Sequence, residues 1–234
     1  MEAAPLPDAT PIATSLQISA TALMQQAIAY SRGGGPAPHR PVTVETLLAL
    51  EKAARQARQP IGLDQLSGTW RLTFITGTQK SRQKAGIVLG AGRFLPNWIK
   101  IAIAYRPNLA GADADADANV TTGSKVLADP ESPTGTVENR VRFAGVDLTV
   151  AWPIQLYPQR RILAFDFIRL QFTLGGIQLF KGYVKGGETR EAAFAAKALR
   201  DQAFFTYFWV TDEVIAARGR GGGLAIWVRD CQEQ

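Results

Sequence analysis

Residues able to carry out acid–base or nucleophilic chemistry are scarce in this sequence. His39 is the only histidine and Cys231 the only cysteine. Ser-His-Asp and Cys-His catalysis both need an imidazole held beside a nucleophile, and His39 lies in the Pro-rich stretch PAPHRP (36–41), ahead of the first strand pattern. A single histidine and a single cysteine also leave no zinc ribbon, CxxC motif or intrachain disulfide. The acids beside the strand patterns are Asp64, Glu138, Asp147, Asp166, Asp212 and Glu213. None forms an evident carboxylate pair for hydrolysis, and Asp166, flanked by Phe165 and Phe167, reads as an ion-pair partner for Arg169 or another arginine. DADADAN (113–119) resembles the start of a calcium loop, with Asp113, Asp115 and Asp117 at the first three ligand positions. Ala118 at its turn position and Ser124 at its twelfth argue against metal binding. ARGRGGG (217–223) lacks the Lys and the following helix of a phosphate loop. Between EVIAAR and LAIWVR it reads as a hairpin turn whose glycines supply positive φ.

The elements that would position any site follow from periodicity. Residues 1–15 are rich in Pro and Ala and are expected to be disordered, with a helical segment over 16–60. That segment comprises one helix over 16–30, the glycine-rich break SRGGGPAPHRP, and a second helix from an N-cap at Thr43 to Arg58. The period then falls from 3.6 to 2. GTWRLTFIT (68–76), WIKIAIAYR (98–106), GTVENRVRF (135–143), VDLTVAW (146–152), RRILAFDFIRLQFTL (160–174), GIQLFKGYV (176–184), FFTYFWV (204–210), EVIAAR (213–218) and LAIWVR (224–229) read as strands. ETREAAFAAKALRD (188–201) reads as a helix, and 107–134 as a long mobile loop. Eight or nine strands in meander order, without βαβ alternation, predict a mainly β fold over 61–230. It is an antiparallel barrel that hides its edges by closing.

Hydrophobic residues make up 46% of the 234-residue chain, enough for a sizeable core, and no apolar run reaches the length of a membrane-spanning helix. The formal net charge of +6 favours anionic partners without choosing among them. The start, MEAAPLPDATPIATS, lacks the marks of a secretory signal or an organelle transit peptide, so either an intracellular, reducing location or a chain already in mature form is expected.

Five stretches carry a family resemblance: LSGTWRLTFIT (66–76), GRFLPNWIKI (92–101), GTVENRVRF (135–143), RRILAFDF (160–167) and TYFWVTDEVIAARGRGGGLAIWV (206–228). In this order and spacing they resemble the plastid lipid-associated proteins, or fibrillins, of chloroplasts and cyanobacteria. The most telling pieces are Gly68-x-Trp70 and the closing trio Asp212, Arg218 and Gly219. The resemblance implies a lipocalin-like barrel in which Arg218 lies over the Trp70 indole and closes the sheet, making Gly68, Trp70, Asp212, Arg218 and Gly219 structural. It further implies a non-enzymatic binder of prenylquinones, carotenoids or acyl lipids at the thylakoid periphery or the plastoglobule, without a cofactor. An anionic membrane surface and a polyprenyl-diphosphate synthase are the implied partners. The Ala/Pro-rich start and the DADADA insertion suggest a cyanobacterial member.

With the larger apolar face of each strand turned inward, the expected ligand cavity is lined by Trp70, Leu72, Phe74, Ile101, Ile103, Val141, Phe143, Val150 and Trp152. Arg82, Lys84, Arg93, Lys100, Arg160 and Arg161 are candidates for docking on anionic lipid. Three other readings stand beside this one: an interaction scaffold with a filled barrel, an enzyme acting on a lipid, and a single-stranded nucleic-acid binder suggested by the basic charge and the aromatics.

Overall fold

A computed structural model describes residues 11–77, 92–107, 133–143, 146–165, 169–174, 177–183, 194 and 197–230. Three helices, α1 (Pro11–Ser31), α2 (Arg40–Ala57) and α3 (Leu63–Leu66), precede the strands. The strands are β1 (Gly68–Ile75), β2 (Arg93–Phe94), β3 (Lys100–Pro107), β4 (Thr134–Phe143), β5 (Val146–Tyr157), β6 (Ile162–Phe165), β7 (Arg169–Leu174), β8 (Ile177–Tyr183), β9 (Ala203–Val210), β10 (Val214–Gly219) and β11 (Leu224–Arg229).

The fold is mainly β. Every pairing is antiparallel, and the order β4-β3-β1-β11-β10-β9-β6-β5 closes on itself through β4–β5, giving an eight-stranded barrel. Two further strands, β7 and β8, extend from β5, and β2 is a short partner of β1. ARGRGGG is the β10–β11 hairpin turn, with Gly222 at φ 82° and the Gly219 N–H donating to the Gly223 carbonyl at 2.9 Å.

The two ends of the barrel differ. Where β1 starts and β11 ends, β1 is paired with both β3 and β11, and α3 lies across this end with Ile61, Leu63 and Leu66 buried in the barrel cluster. At the opposite end the ring divides. The far half of β1 pairs with β2 instead of β3. β5 pairs with β6 only over Ile154–Tyr157, while its other half, Val146–Ala151, pairs with β7. The ten-residue β4 stays paired with β5 along its whole length. Among the described residues, one half of the sheet (β3, β4, β5, β7, β8) therefore parts from the other (β1, β11, β10, β9) at this end, called the mouth below.

Outside the barrel, α1 and α2 pack on β1, β2, β9, β10 and β11. Ala20, Met24 and Ala27, at helical spacing, and Leu47 and Leu50 meet Phe74, Phe94, Phe208, Val214, Ala216, Leu224, Ile226 and Val228. Strands β10 and β11 are thus buried on both faces, which is why VIAA and LAIWV read as unbroken apolar runs. One ion-pair cluster pins this layer. Glu51 of α2, 6% exposed, accepts from Arg218 Nε at 2.7 Å and Nη2 at 2.5 Å, and from Arg55 at 2.7 Å.

Several boundaries differ from expectation. α1 begins at Pro11, so residues 11–15 are helical. α2 begins at Arg40, because Pro41 fits a first helical turn that has no use for its missing N–H, and Thr43 lies inside the helix with its hydroxyl on the His39 carbonyl. Residues 1–10, most of 107–134 with DADADAN, Asp166 and most of the helix expected over 188–201 lie outside the described residues; Leu199–Asp201 forms one 3-10 turn.

Candidate functional site

The barrel interior is built by alternation. Trp70 and Leu72 of β1, Ile103 and Tyr105 of β3, Val137 of β4, Ile154 and Leu156 of β5, Leu163 and Phe165 of β6, Tyr207 of β9, Ile215 and Ala217 of β10, and Ala225 and Trp227 of β11 form one buried apolar cluster. Phe205 joins its aromatic wall, 5.0 Å from Phe165 and 5.2 Å from Trp227 between ring centres. Of the expected lining, Trp70, Leu72 and Ile103 lie in this cluster, Ile101 and Val150 pack against it, and Val141 is the cross-strand partner of Ile101. Phe143 pairs with Val146, and Trp152 with Val137, in the β4–β5 ladder; their side chains are outside the described ones.

Phe74 corrects the expectation. The β1–β11 register slips between Leu72 and Phe74, so Thr73 is an extra residue and alternation reverses beyond it. Phe74 therefore faces outward, fully buried beneath the helices and 4.7 Å from the Phe94 ring.

The barrel closure is corrected as well. Arg218 occupies the outward parity of β10, at the mouth end, where it holds Glu51 and donates to the Gly222 carbonyl at 2.6 Å. It cannot reach an indole inside the opposite end. Arg229 takes the role: it is the β-ladder partner of Trp70, and its guanidinium lies 4.1 Å above the indole centre. It also donates to the Ser67 carbonyl at 2.9 Å and to that of Asp212, joining the start of β1 to the β9–β10 turn. Gly68 is needed beside it: its φ is +113°, and a Cβ there would collide with Arg229 Nη1. Trp70 Nε1 donates to the Leu66 carbonyl at 2.7 Å, which fixes α3 as the plug. Gly219 ends β10, and its N–H closes the hairpin turn.

Towards the mouth the inner face stays apolar. The register Ile101↔Val141↔Leu148↔Phe172↔Phe180 carries one row across β3, β4, β5, β7 and β8. Ile101, Val141 and Leu148 are half-buried, and Phe180 is 48% exposed. The reverse face of this flap is charged: Asp147 accepts from Arg140 at 2.8 Å and Arg142 at 3.1 Å. The Arg140 hydrogen bonds hold the Asp147 carboxyl below the usual carboxylate range, against the effect of burial and with Arg142 adding to them. The proposed lipid-docking cations do not form one patch. Arg93 and Lys100 stand exposed at the mouth, beside Trp98 at 64% exposure. Arg160 and Arg161 stand at the closed end, where burial pushes the Arg161 guanidinium below its ordinary value, and Arg82 and Lys84 are outside the described residues.

Two polar features inside the barrel were not foreseen. The Tyr105 and Tyr207 hydroxyls meet at 2.6 Å, and burial pushes both phenols above their ordinary range. Asn139 of β4 places its Oδ1 out of contact with water and without a hydrogen-bond partner. Its signal was the one polar residue at inward parity in TVENRVRF. Among the described residues no group of three or more His, Cys, Asp or Glu could hold a metal ion, and no helix is long and apolar enough to cross a membrane.

Fold and interior together define a closed antiparallel β-barrel with an apolar interior, covered by α3 at one end and with its strand pairing divided at the other. Comparison with protein-family models, curated proteins and solved structures found no match to this chain.

Proposed function

We propose that this chain binds apolar small molecules or lipids without chemistry, as a carrier at the periphery of photosynthetic membranes, in the manner of the plastid lipid-associated proteins it resembles. The observation that carries the reading is the continuity of the apolar face, from the plugged interior at Trp70 and Ile103 out over Ile101, Val141 and Leu148 to the exposed Phe180. A chain of about sixteen methylenes gains roughly 13 kcal/mol on burial, which leaves a micromolar constant after about 5 kcal/mol of association cost. Prenylquinones, carotenoids and acyl lipids all offer such a chain. Trp98, flanked by Arg93 and Lys100 at the mouth, supports delivery from an anionic bilayer, each cation adding about 1 kcal/mol near the surface.

A second reading, an interaction scaffold, is favoured by Ile18, Val42 and Leu48 of α1 and α2, which are 66%, 54% and 46% exposed. A polyprenyl-diphosphate synthase is the partner the resemblance implies. Titration with the fluorescent apolar probe N-phenyl-1-naphthylamine, together with mass spectrometry of lipids extracted from purified protein, separates the two. A carrier binds the probe with micromolar affinity and co-purifies with an apolar molecule. A folded protein that does neither is not a carrier.

A further inference from the structure

The barrel interior contains an acceptor that the described residues leave unused. Asn139 stands between Ile103 and Val150 as cross-strand partners, with Val137 and Val141 two residues away on the same face. Its Oδ1 is buried among these apolar neighbours without a donor. A buried acceptor left unpaired carries its full desolvation cost, so its presence at an inward position calls for a partner from outside the fold. One ladder step deeper, Tyr105 faces Val137 and shares a single hydrogen bond with Tyr207. Two hydroxyl groups joined by one bond retain one phenolic hydrogen, which finds no acceptor among the described residues. Acceptor and donor thus lie on adjacent rungs of one inner face, below the mouth.

We propose that the lumen seats the hydroxyl head of a long-chain or prenyl alcohol, which donates to Asn139 Oδ1 and accepts from the Tyr105–Tyr207 pair while its chain runs out past Ile101, Val141 and Leu148. This inference rests on the apolar-binding reading and adds the head group and its direction, head inward. A hydroxyl both donates and accepts, which this pair of groups requires. An ether lacks the donor, and an ionised carboxylate, which only accepts, has no hydrogen to give Asn139 Oδ1.

The test is displacement of N-phenyl-1-naphthylamine by decan-1-ol, its methyl ether and decanoate at pH 7, on the full chain and on Asn139→Leu. The expected result is an alcohol midpoint about tenfold below that of the ether, as one net hydrogen bond implies, with decanoate weaker than the alcohol. Asn139→Leu keeps the ether midpoint, brings alcohol and ether within about twofold, and melts no lower than the parent, since it removes an unpaired polar group. Equal midpoints for alcohol and ether in the parent chain, as when water alone fills the acceptor, overturn the proposal and leave apolar binding standing. So does an alcohol preference that survives in Asn139→Leu. Should that variant unfold, Asn139→Val serves in its place, with the same narrowing expected and an unchanged preference overturning the proposal. Failure of the parent to bind the probe removes the carrier reading and this one with it.

Discussion

Replacing Arg229 with Met tests which arginine closes the barrel. Methionine keeps an unbranched stem over the Trp70 ring but removes the guanidinium. Three interactions go: the stacking on the indole, the bond to Ser67 and the bond to Asp212. A cation over an indole contributes about 0.5–2 kcal/mol, more when shielded from water. Hydrogen bonds from a charged donor contribute about 1.5–3 kcal/mol each, reduced here because Arg229 is partly open to solvent and water can replace the protein as donor. A net loss of about 2–4 kcal/mol follows, or a fall in Tm of roughly 5–15 °C at about 2–4 °C per kcal/mol for a chain of this size. Thermal unfolding followed by circular dichroism measures it, and tryptophan fluorescence should shift as the Trp70 environment opens. Arg229→Lys should recover less than half of the loss, since an ammonium neither stacks flat nor bridges two carbonyls as the fork does. A Tm within 2 °C of the parent, with an unchanged emission maximum, would refute the closure described above.

Three further outcomes are expected. Gly68→Ala forces φ +113° on a residue with a Cβ and pushes on Arg229, at a cost of about 2–3 kcal/mol, readable as a lower urea midpoint with unchanged m. Glu51→Gln loosens the helix layer by roughly 2–4 kcal/mol at pH 7. Burial on its own raises the Glu51 carboxyl, but the hydrogen bonds and charge of Arg218, with Arg55, outweigh it and hold the folded pKa below the ordinary value. The parent's advantage is therefore full above about pH 4.3 and vanishes as the pH falls through the depressed folded value, which paired melts of parent and variant across pH 3–7 will show. Phe74→Leu costs about 1–2 kcal/mol through packing under the helices while leaving probe affinity within twofold; a tenfold loss of affinity would place Phe74 back in the lumen.

The barrel was legible because period-2 alternation is a backbone property: Ile101, Ile103, Val137 and Val150 all face as their strands demand. Phe74 was not, since one extra residue at Thr73 reverses parity and no residue type marks it. The two arginines show a similar limit. Arg218 and Arg229 both end apolar strands in the sequence, and only the antiparallel order of β10 and β11 sends one to the mouth and the other to the plugged end. Asn139 stood at inward parity from the start, yet a polar residue among charged neighbours reads as surface until the ladder shows which neighbours point away. The α2 start was misplaced because Thr at 43 is a good cap on local chemistry, whereas Pro41 is an equally good first-turn residue.

Among the described residues, the helices outside the barrel reinforce one wall. The buried residues of α1 and α2 meet β1, β2 and β9–β11, while the opposite wall, β3 to β5 with β7 and β8, carries its charged Asp147 cluster outward. Such a molecule has a stiff back and a pliant front. Opening motions should concentrate in the wall that these helices leave uncovered, so amide deuterium uptake is expected to run faster along β4 and β5 than along β10 and β11.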